Sequence, residues 1–549
     1  MNHHHGGRRP SRARVVAGAG ALAVLAALLP ALDRAAGPDG FPGAAPLPAL
    51  SATDASWLDS EHVTGALVRG ARDCTTAYRY SSSSSSRMLS GALLGTSLDP
   101  FASLAGVTTT HTGQAGTTAS AQPAEAPAAG PDAHAAPLSV TALSSVLGAQ
   151  TASLVVLPAA GQEAAVLQQH ARATSDGESA AATGAVTSSG AVRTTSGTGP
   201  VPDGDLPSPA VIDLAGVAPG TATLAGLRLQ VGALASTALL DGCERDELGA
   251  LPVRDYGVAG LRLVLASPTV PAVAQTARTA AATAQSQVTA VERQLERAVK
   301  GVAGLTGSAT TVKVHVDVAS AVTPLLTAKL GEGTEVVVDL GRGTVEVDME
   351  RLMSGRGGLN GRAVGTELVL DQALADQVAA RTTTLLEQWA ASVQAAVDAA
   401  LRTARVTVDV ALLGVPLLRL DASVLDVVEG RAKVELLRSL LGLGVPGDVD
   451  SLVLAVVVRG LQDGLFGRTG VLATLGTTVR SATPPVTTAT TTALSGLRDA
   501  VSLVVNDQRD GAGVHDVAAL RVRVLPGRGS PLTDLRLATS SVGPVVERP

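Results

Sequence analysis

Aromatic residues are nearly missing from this chain: among 549 residues there are eight, Phe41, Trp57, Tyr78, Tyr80, Phe101, Tyr256, Trp389 and Phe466. Any core must therefore be aliphatic. Base stacking, ring platforms for sugars and grooves for proline-rich peptides need clustered rings, and outside residues 57–101 the rings stand singly, so those functions are disfavoured. Lysine is equally scarce, with Lys300, Lys313, Lys329 and Lys433 set against 38 arginines. None of the four follows a glycine, as a phosphate-cradling Walker loop requires. There is no HExxH pair and no GxSxG elbow.

What is present begins with compartment. Arg8, Arg9, Arg12 and Arg14 precede the uncharged run 15–32, eighteen residues of mostly Ala, Leu and Val. This reads as the basic and apolar parts of an export signal, residues 1–36 serving either as a cleaved signal peptide or as an uncleaved N-terminal anchor. Beyond residue 36 the chain carries 37 basic and 47 acidic residues, a net of −10. An acidic exterior argues against nucleic acid as a partner. Membrane contact is expected only through the N-terminal segment, if uncleaved. The C-terminus shows neither hydrophobic tail nor basic stop. Cys74 and Cys243 are the two cysteines, the pair available for one disulfide in an exported chain.

Along the chain the composition divides as follows. Residues 37–106 form an N-terminal segment whose six-serine run, 81–86, is expected as a surface loop. Residues 107–137, rich in Thr, Ala, Gly and Pro, read as a flexible linker because they offer little apolar surface to bury. Residues 138–269 are expected as a β-rich domain. Within it 224–231 alternates with period two, 258–265 nearly repeats it, and 517–524 repeats it again near the C-terminus. These place Arg228, Arg262 and Arg521 on solvated strand faces. Residues 270–402 read as long helix, hairpin, long helix. In 270–302 the residues Ala277, Ala281, Ala284, Val288, Val291, Leu295, Ala298 and Val302 follow a 4-3 spacing, with Pro268 and Pro271 at the start and Gly301 and Gly304 at the end. In 371–402 Leu374, Val378, Leu385, Trp389, Val393, Val397 and Leu401 share one face. Between them 336–340 and 344–348 flank a Gly-Arg-Gly turn, the clearest hairpin in the chain. Residues 403–549 read as a C-terminal β-rich domain with one further helix near 486–506; the apolar run 452–458 suits a buried strand. The expected class is α+β: β-rich, sandwich-like domains combined with a pair of long antiparallel helices, packed on each other around Trp389.

The segment Arg87-Met88-Leu89-Ser90-Gly91-Ala92-Leu93-Leu94-Gly95-Thr96 resembles the opening of the actinobacterial choice-of-anchor G surface proteins. Val231 to Ser236, Arg254 to Leu261, Val338 to Val345, Leu359-Asn360-Gly361, Ala519 to Val522 and Ser541 to Pro544 follow in the order of that family. The resemblance implies export and display on the envelope, and it implies no activity. The missing C-terminal sorting region argues against covalent wall attachment.

No chemistry is prominent. Gly442-Leu443-Gly444-Val445-Pro446-Gly447 matches GxGxxG, but helical-looking 434–441 precedes it and strand-like 452–458 follows, the reverse of a dinucleotide site. The histidines His62, His111, His134, His170, His315 and His515 are isolated. Asp203-Gly204-Asp205 and Asp448-Val449-Asp450 lack the twelve-residue calcium-loop pattern and read as turn aspartates. No cofactor, metal or catalytic residue is expected. The function expected is that of an exported surface protein with a structural, spacer or adhesive role and no enzymatic activity, its partner being the cell envelope or an extracellular ligand. The alternatives are a glycan- or protein-binding module and an envelope hydrolase whose site forms only in three dimensions.

Overall fold

The computed structural model describes residues 79–93, 95–100, 106–114, 116–137, 155–156, 168–185, 209–214, 226–248, 251–302, 305, 307–437, 448–524 and 531–548. The class is α+β and β-rich, with four antiparallel sheets and two 32-residue helices among these residues.

A nine-stranded sheet is centred on β1 (Arg79–Leu93), β2 (Val501–Gly511), β3 (Val514–Val524) and β4 (Thr533–Val542). Its order sets β4 beside β1, with Ser84 opposite Val542 and Ala92 opposite Asp534. The sheet thus unites residues from both ends of the described chain, and the segments 138–269 and 403–549 do not stand as separate units. A six-stranded sheet, built mainly from Gln168–Ala173, Glu178–Gly184, Ala233–Asp241 and Val253–Ala259, packs face to face against it.

The serine run forms strand, not loop. Ser82, Ser84 and Ser86 are buried toward the facing sheet while Ser81, Ser83 and Ser85 are half-buried. Ser82 Oγ donates to the Thr174 carbonyl and Ser84 Oγ to that of Arg172, both at 2.8 Å, and Thr109 Oγ1 donates to Ala171 at 3.0 Å. A serine is too short to span the roughly 10 Å usual between stacked sheets. The backbones must therefore approach closely here, and alanines at 171, 173, 181 and 238 permit it. Farther along the seam Ser236, Ser540 and Thr183 form a buried hydroxyl cluster, Ser236 Oγ lying 2.8 Å and Thr183 Oγ1 3.0 Å from Ser540 Oγ. The expected linker 107–137 likewise contributes Val107–His111 and Ser120–Gln122 to the larger sheet and Ala128–Gly130 and Ala133–Pro137 to the smaller. Its small residues suit a seam that larger ones would force open.

The expected strand 258–265 is two strands, Val253–Ala259 and Arg262–Ala266, broken at Gly260, whose φ of +65° only glycine adopts readily. The break moves the chain from the six-stranded sheet into a seven-stranded one, where Arg262–Ala266 pairs with Gly226–Val231 and with the hairpin strand Thr344–Asp348. That hairpin, Val336–Asp339 with Thr344–Asp348, forms as expected.

The helices α1 (Thr269–Lys300) and α2 (Gln372–Thr403) lie within about two residues of their expected bounds. Pro268 and Gly301 bracket the first, and Asp371 caps the second by accepting the Leu374 N–H at 2.8 Å. Their arrangement differs from the expected antiparallel pair. Between them the chain runs through Val318–Val322 and Thr323–Thr327. Val318 N–H donates to Gln285 of α1 (3.1 Å), the Leu325 carbonyl accepts from Trp389 of α2 (2.9 Å), Glu335 pairs with Arg381 of α2 (2.6 Å), and Gly343 abuts Pro271 of α1. As the chain proceeds from 318 to 343, the positions it meets fall along both helices, so α1 and α2 point the same way. The physical reason is that Ala309–His315 and the stretch after it already make the return journey, so α2 starts level with the beginning of α1. This stretch and α4 (Val471–Ser481) fill the space between the two helices.

The run 452–458 is helical, within α3 (Val449–Leu461). Its valines favour strand locally, yet Val449, Val453, Val457 and Leu461 recur every fourth residue and are the ones buried. Gly460 and Gly464 bring this segment close to α1, facing Leu295 and Val291 where a Cβ would collide. The last helix, α5 (Pro484–Ala500), packs on α2 and stops where β2 begins, six residues short of the expected end. Val434–Leu436 is strand, not helix; it edges a four-stranded sheet with Ala309–His315, Arg405–Leu412 and Val415–Ser423. The opposite edge, Ala309–His315, is closed by α1: Glu292 accepts the Val314 N–H at 2.7 Å and Glu296 that of Val312 at 3.3 Å. Helix side chains there do what a further strand would otherwise do.

Candidate functional surface

The densest arrangement of charge lies on the outer face of the nine-stranded sheet. Strand alternation brings Arg521 and Arg536 directly opposite each other on β3 and β4, a repulsive juxtaposition unless acids intervene. They do. Arg536 Nε donates to Asp507 Oδ2 at 2.7 Å and its Nη1 to Asp516 Oδ2 at 2.7 Å, while Arg521 grips Asp534 through Nε (2.7 Å) and Nη2 (2.6 Å). Arg509 reaches Asp507 at 3.3 Å, and Arg523 donates to Ser502, itself bonded to Glu367.

Arg536 and Asp507 are each only 7% exposed. Burial pushes the Arg536 guanidinium down, but its bonds to Asp516 and Asp507 outweigh this and hold it above its ordinary value. The bond from Arg521 holds the Asp534 carboxyl below the usual carboxylate range. Each acid of the lattice is held by a guanidinium, which suits the arrangement to clamping three strands together.

A second feature is a shallow groove of about 220 Å³ between α1 and α4, lined by Gln275, Thr276, Thr279, Thr283 and Thr478 among others. Its lining is uncharged, and the hydroxyls of Thr276, Thr283 and Thr478 donate to carbonyls one turn back, as Thr276 does to Ala272 (2.9 Å).

The residues singled out in the sequence are scattered. Cys243 is 3% exposed, is disulfide-bonded, and sits at the start of Gly242–Leu248 with its N–H bonded to Asp241; Cys74 lies outside the described residues. So do His62, Asp203, Asp205 and the glycine loop 442–447. Arg228 and Arg262 stand on the seven-stranded sheet, near Asp213 (3.7 Å) and Asp348 (3.9 Å), while Arg521 belongs to another sheet. The histidines are held locally. His111 accepts the Gly113 N–H at Nδ1 and so donates from Nε2 to Thr117, His134 lies 3.4 Å from Thr109, and His515 lies 2.6 Å from Asp510, which Arg254 also holds. Among the described residues no group of three or more His, Cys, Asp or Glu is placed to hold a metal ion. Sequence reading missed the charge lattice, although Arg521, Arg523, Asp534 and Arg536 recur at every second residue, the spacing of one strand face.

His170 is the exception among the histidines. Burial first, and the positive charge of Arg172 second, push it down from 6.5 to about 4. Between those values the unfolded chain takes up a proton that the folded chain refuses. Stability is therefore complete above pH 6.5 and falls as pH drops toward 4, by about 3 kcal/mol in all. Denaturant titrations at a series of pH values should show this loss reduced in His170→Gln; equal acid sensitivity in both proteins would reject the assignment.

A family model described as a domain of unknown function, DUF8394, matches residues 84–543. No curated protein and no solved structure matches the chain. The match begins within β1 and ends just after β4, so it takes in both strands that close the sandwich and all the helices between them. Covering most of the 549 residues, it places the chain in the DUF8394 family.

Proposed function

We propose that this protein is exported and displayed at the cell surface, as its resemblance to choice-of-anchor G proteins implies, and that it serves there in a structural or adhesive role without catalysis. Export is supported by the arginine-flanked apolar segment 15–32 and by the disulfide at Cys243, a bond that persists in oxidising compartments. The observation that carries the display reading is the pairing of Arg79 with Arg548, Tyr80 with Glu547 and Ser81 with Val546. The first and last described strands thus lie side by side, which suits a body that presents its opposite side outward. A second reading, a glycan-binding module, is favoured by the uncharged hydroxyl- and amide-lined groove between α1 and α4.

Fractionation with protease shaving of intact cells tests the proposal. The protein is expected in the envelope fraction and cleaved by external protease. Recovery in the cytosol, with the N-terminus intact and protected, would overturn it. Retention on envelope polysaccharide that is lost in Thr279→Arg would favour the second reading.

A further inference from the structure

The hairpin joining Arg405–Leu412 to Val415–Ser423 turns through two residues, Leu413 and Gly414, with Leu412 paired to Val415. Both turn residues have positive φ, +50° and +82°. A turn of that kind selects Asn-Gly or Asp-Gly, because a larger L-residue is strained in the left-handed region. The other non-glycine residues with positive φ here are Asp132, Asn506, Ala512 and Ala538, all small or locally hydrogen-bonding types; leucine is the one that conflicts with its backbone. Nor does packing compensate, since Leu413 is 93% exposed. Folding therefore gives no reason for leucine at this apex, and a residue that breaks the local rule without a structural return points to function.

The surroundings extend the feature. Val410 to Leu418 carries no charged residue. Val415 is exposed beside Leu413, and Leu436 at the end of the adjoining edge strand and Leu437 just after it are 44% and 46% exposed. Leu452 of α3, which packs on that strand, is 40% exposed.

We propose that this apolar hairpin tip inserts into the interfacial region of a lipid bilayer. A convex tip of so few side chains falls far short of the roughly 800 Å² per partner that a stable protein interface buries. A bilayer demands no complementary shape, only apolar groups that can be left in it without burying charge or unpaired backbone, and the hairpin backbone is already paired. Shallow insertion of a few side chains gives weak, reversible binding, which suits a second contact for a chain whose segment 15–32 is already membrane-directed. The inference relies on the export reading only for which bilayer is met, and vesicle binding is measured independently of cell fractionation.

The full-length chain with Leu413→Trp, or with Val415→Trp should the turn reject the larger ring, is mixed with phosphatidylcholine or phosphatidylglycerol vesicles containing bromine-labelled acyl chains. Wild-type emission from Trp57 and Trp389 is the background, and Val364→Trp, at an exposed apolar position elsewhere, is the control. Tip emission is expected to shift to the blue and lose most of its intensity, equally in both lipids and at high salt, while the control is unaffected. Tip probes quenched no more than the control would overturn the proposal. Quenching confined to phosphatidylglycerol and abolished by salt would also overturn it, by showing charge-driven adsorption. So would capture of a protein by the tip without quenching.

Discussion

Replacing Trp389 with alanine is expected to destabilise the fold by about 3–5 kcal/mol. The ring is 2% exposed on the buried face of α2, and its Nε1 donates to the Leu325 carbonyl at 2.9 Å. Truncation removes the largest side chain in a layer otherwise built from valine, leucine and alanine, and it leaves the Leu325 carbonyl without that donor. The partner is not α1, as the sequence suggests, but the turn Thr323–Thr327 wedged between the two helices. Trp389→Phe keeps much of the volume and loses only the donor, so it should cost about 1 kcal/mol. Denaturant unfolding of the two variants checks both numbers. A Trp389→Ala protein as stable as wild type would mean that the ring anchors nothing.

Arg536→Leu is expected to cost a comparable amount, about 3–5 kcal/mol. The loss comes less from the missing attraction than from what remains: Asp516 loses its guanidinium, and Asp507, 7% exposed, keeps only the longer contacts to Arg509 (3.3 Å) and Arg521 (3.6 Å). Arg509, whose side chain is 47% exposed and which touches the same Asp507, supplies the contrast. Arg509→Ala should cost under about 1 kcal/mol, since water replaces an exposed partner readily. Equal stability of these two variants would show that the lattice is an exposed charge pattern rather than a clamp. Partial rescue in the double variant Arg536→Leu, Asp507→Asn would locate the penalty in the stranded carboxylate.

How legible all this is depends on whether an element announces itself by period. The helices α1 and α2 do: apolar residues at helical spacing over nine turns, prolines at the start of the first, an aspartate cap before the second. So does the hairpin 336–348. The serine strand does not, because its buried positions differ from its exposed ones in partner and not in polarity; Ser82 and Ser83 are chemically identical, and only the carbonyl of Thr174 across the seam distinguishes them. The valines of 453–458 mislead for the converse reason, since local β preference is overridden by α1 packing on every fourth residue. The charge lattice was half visible, as alternating charges on β3 and β4, but its acids Asp507 and Asp516 come from other positions of the strand register.

By itself the sequence determined the aliphatic core, the uncharged apolar segment 15–32, the acidic balance beyond it and the two long helices. Each of these follows from composition or from periodicity within one element. Tertiary structure alone decided that the small-residue segments form a close seam between sheets, that β1 closes against β4, that α1 and α2 run the same way with other chain between them, and that a leucine stands alone at a hairpin apex. The reason is common to the first three. Such features are set by which distant segments meet, and a contact between residues more than four hundred positions apart, such as Ser84 with Val542, leaves no local pattern in the chain.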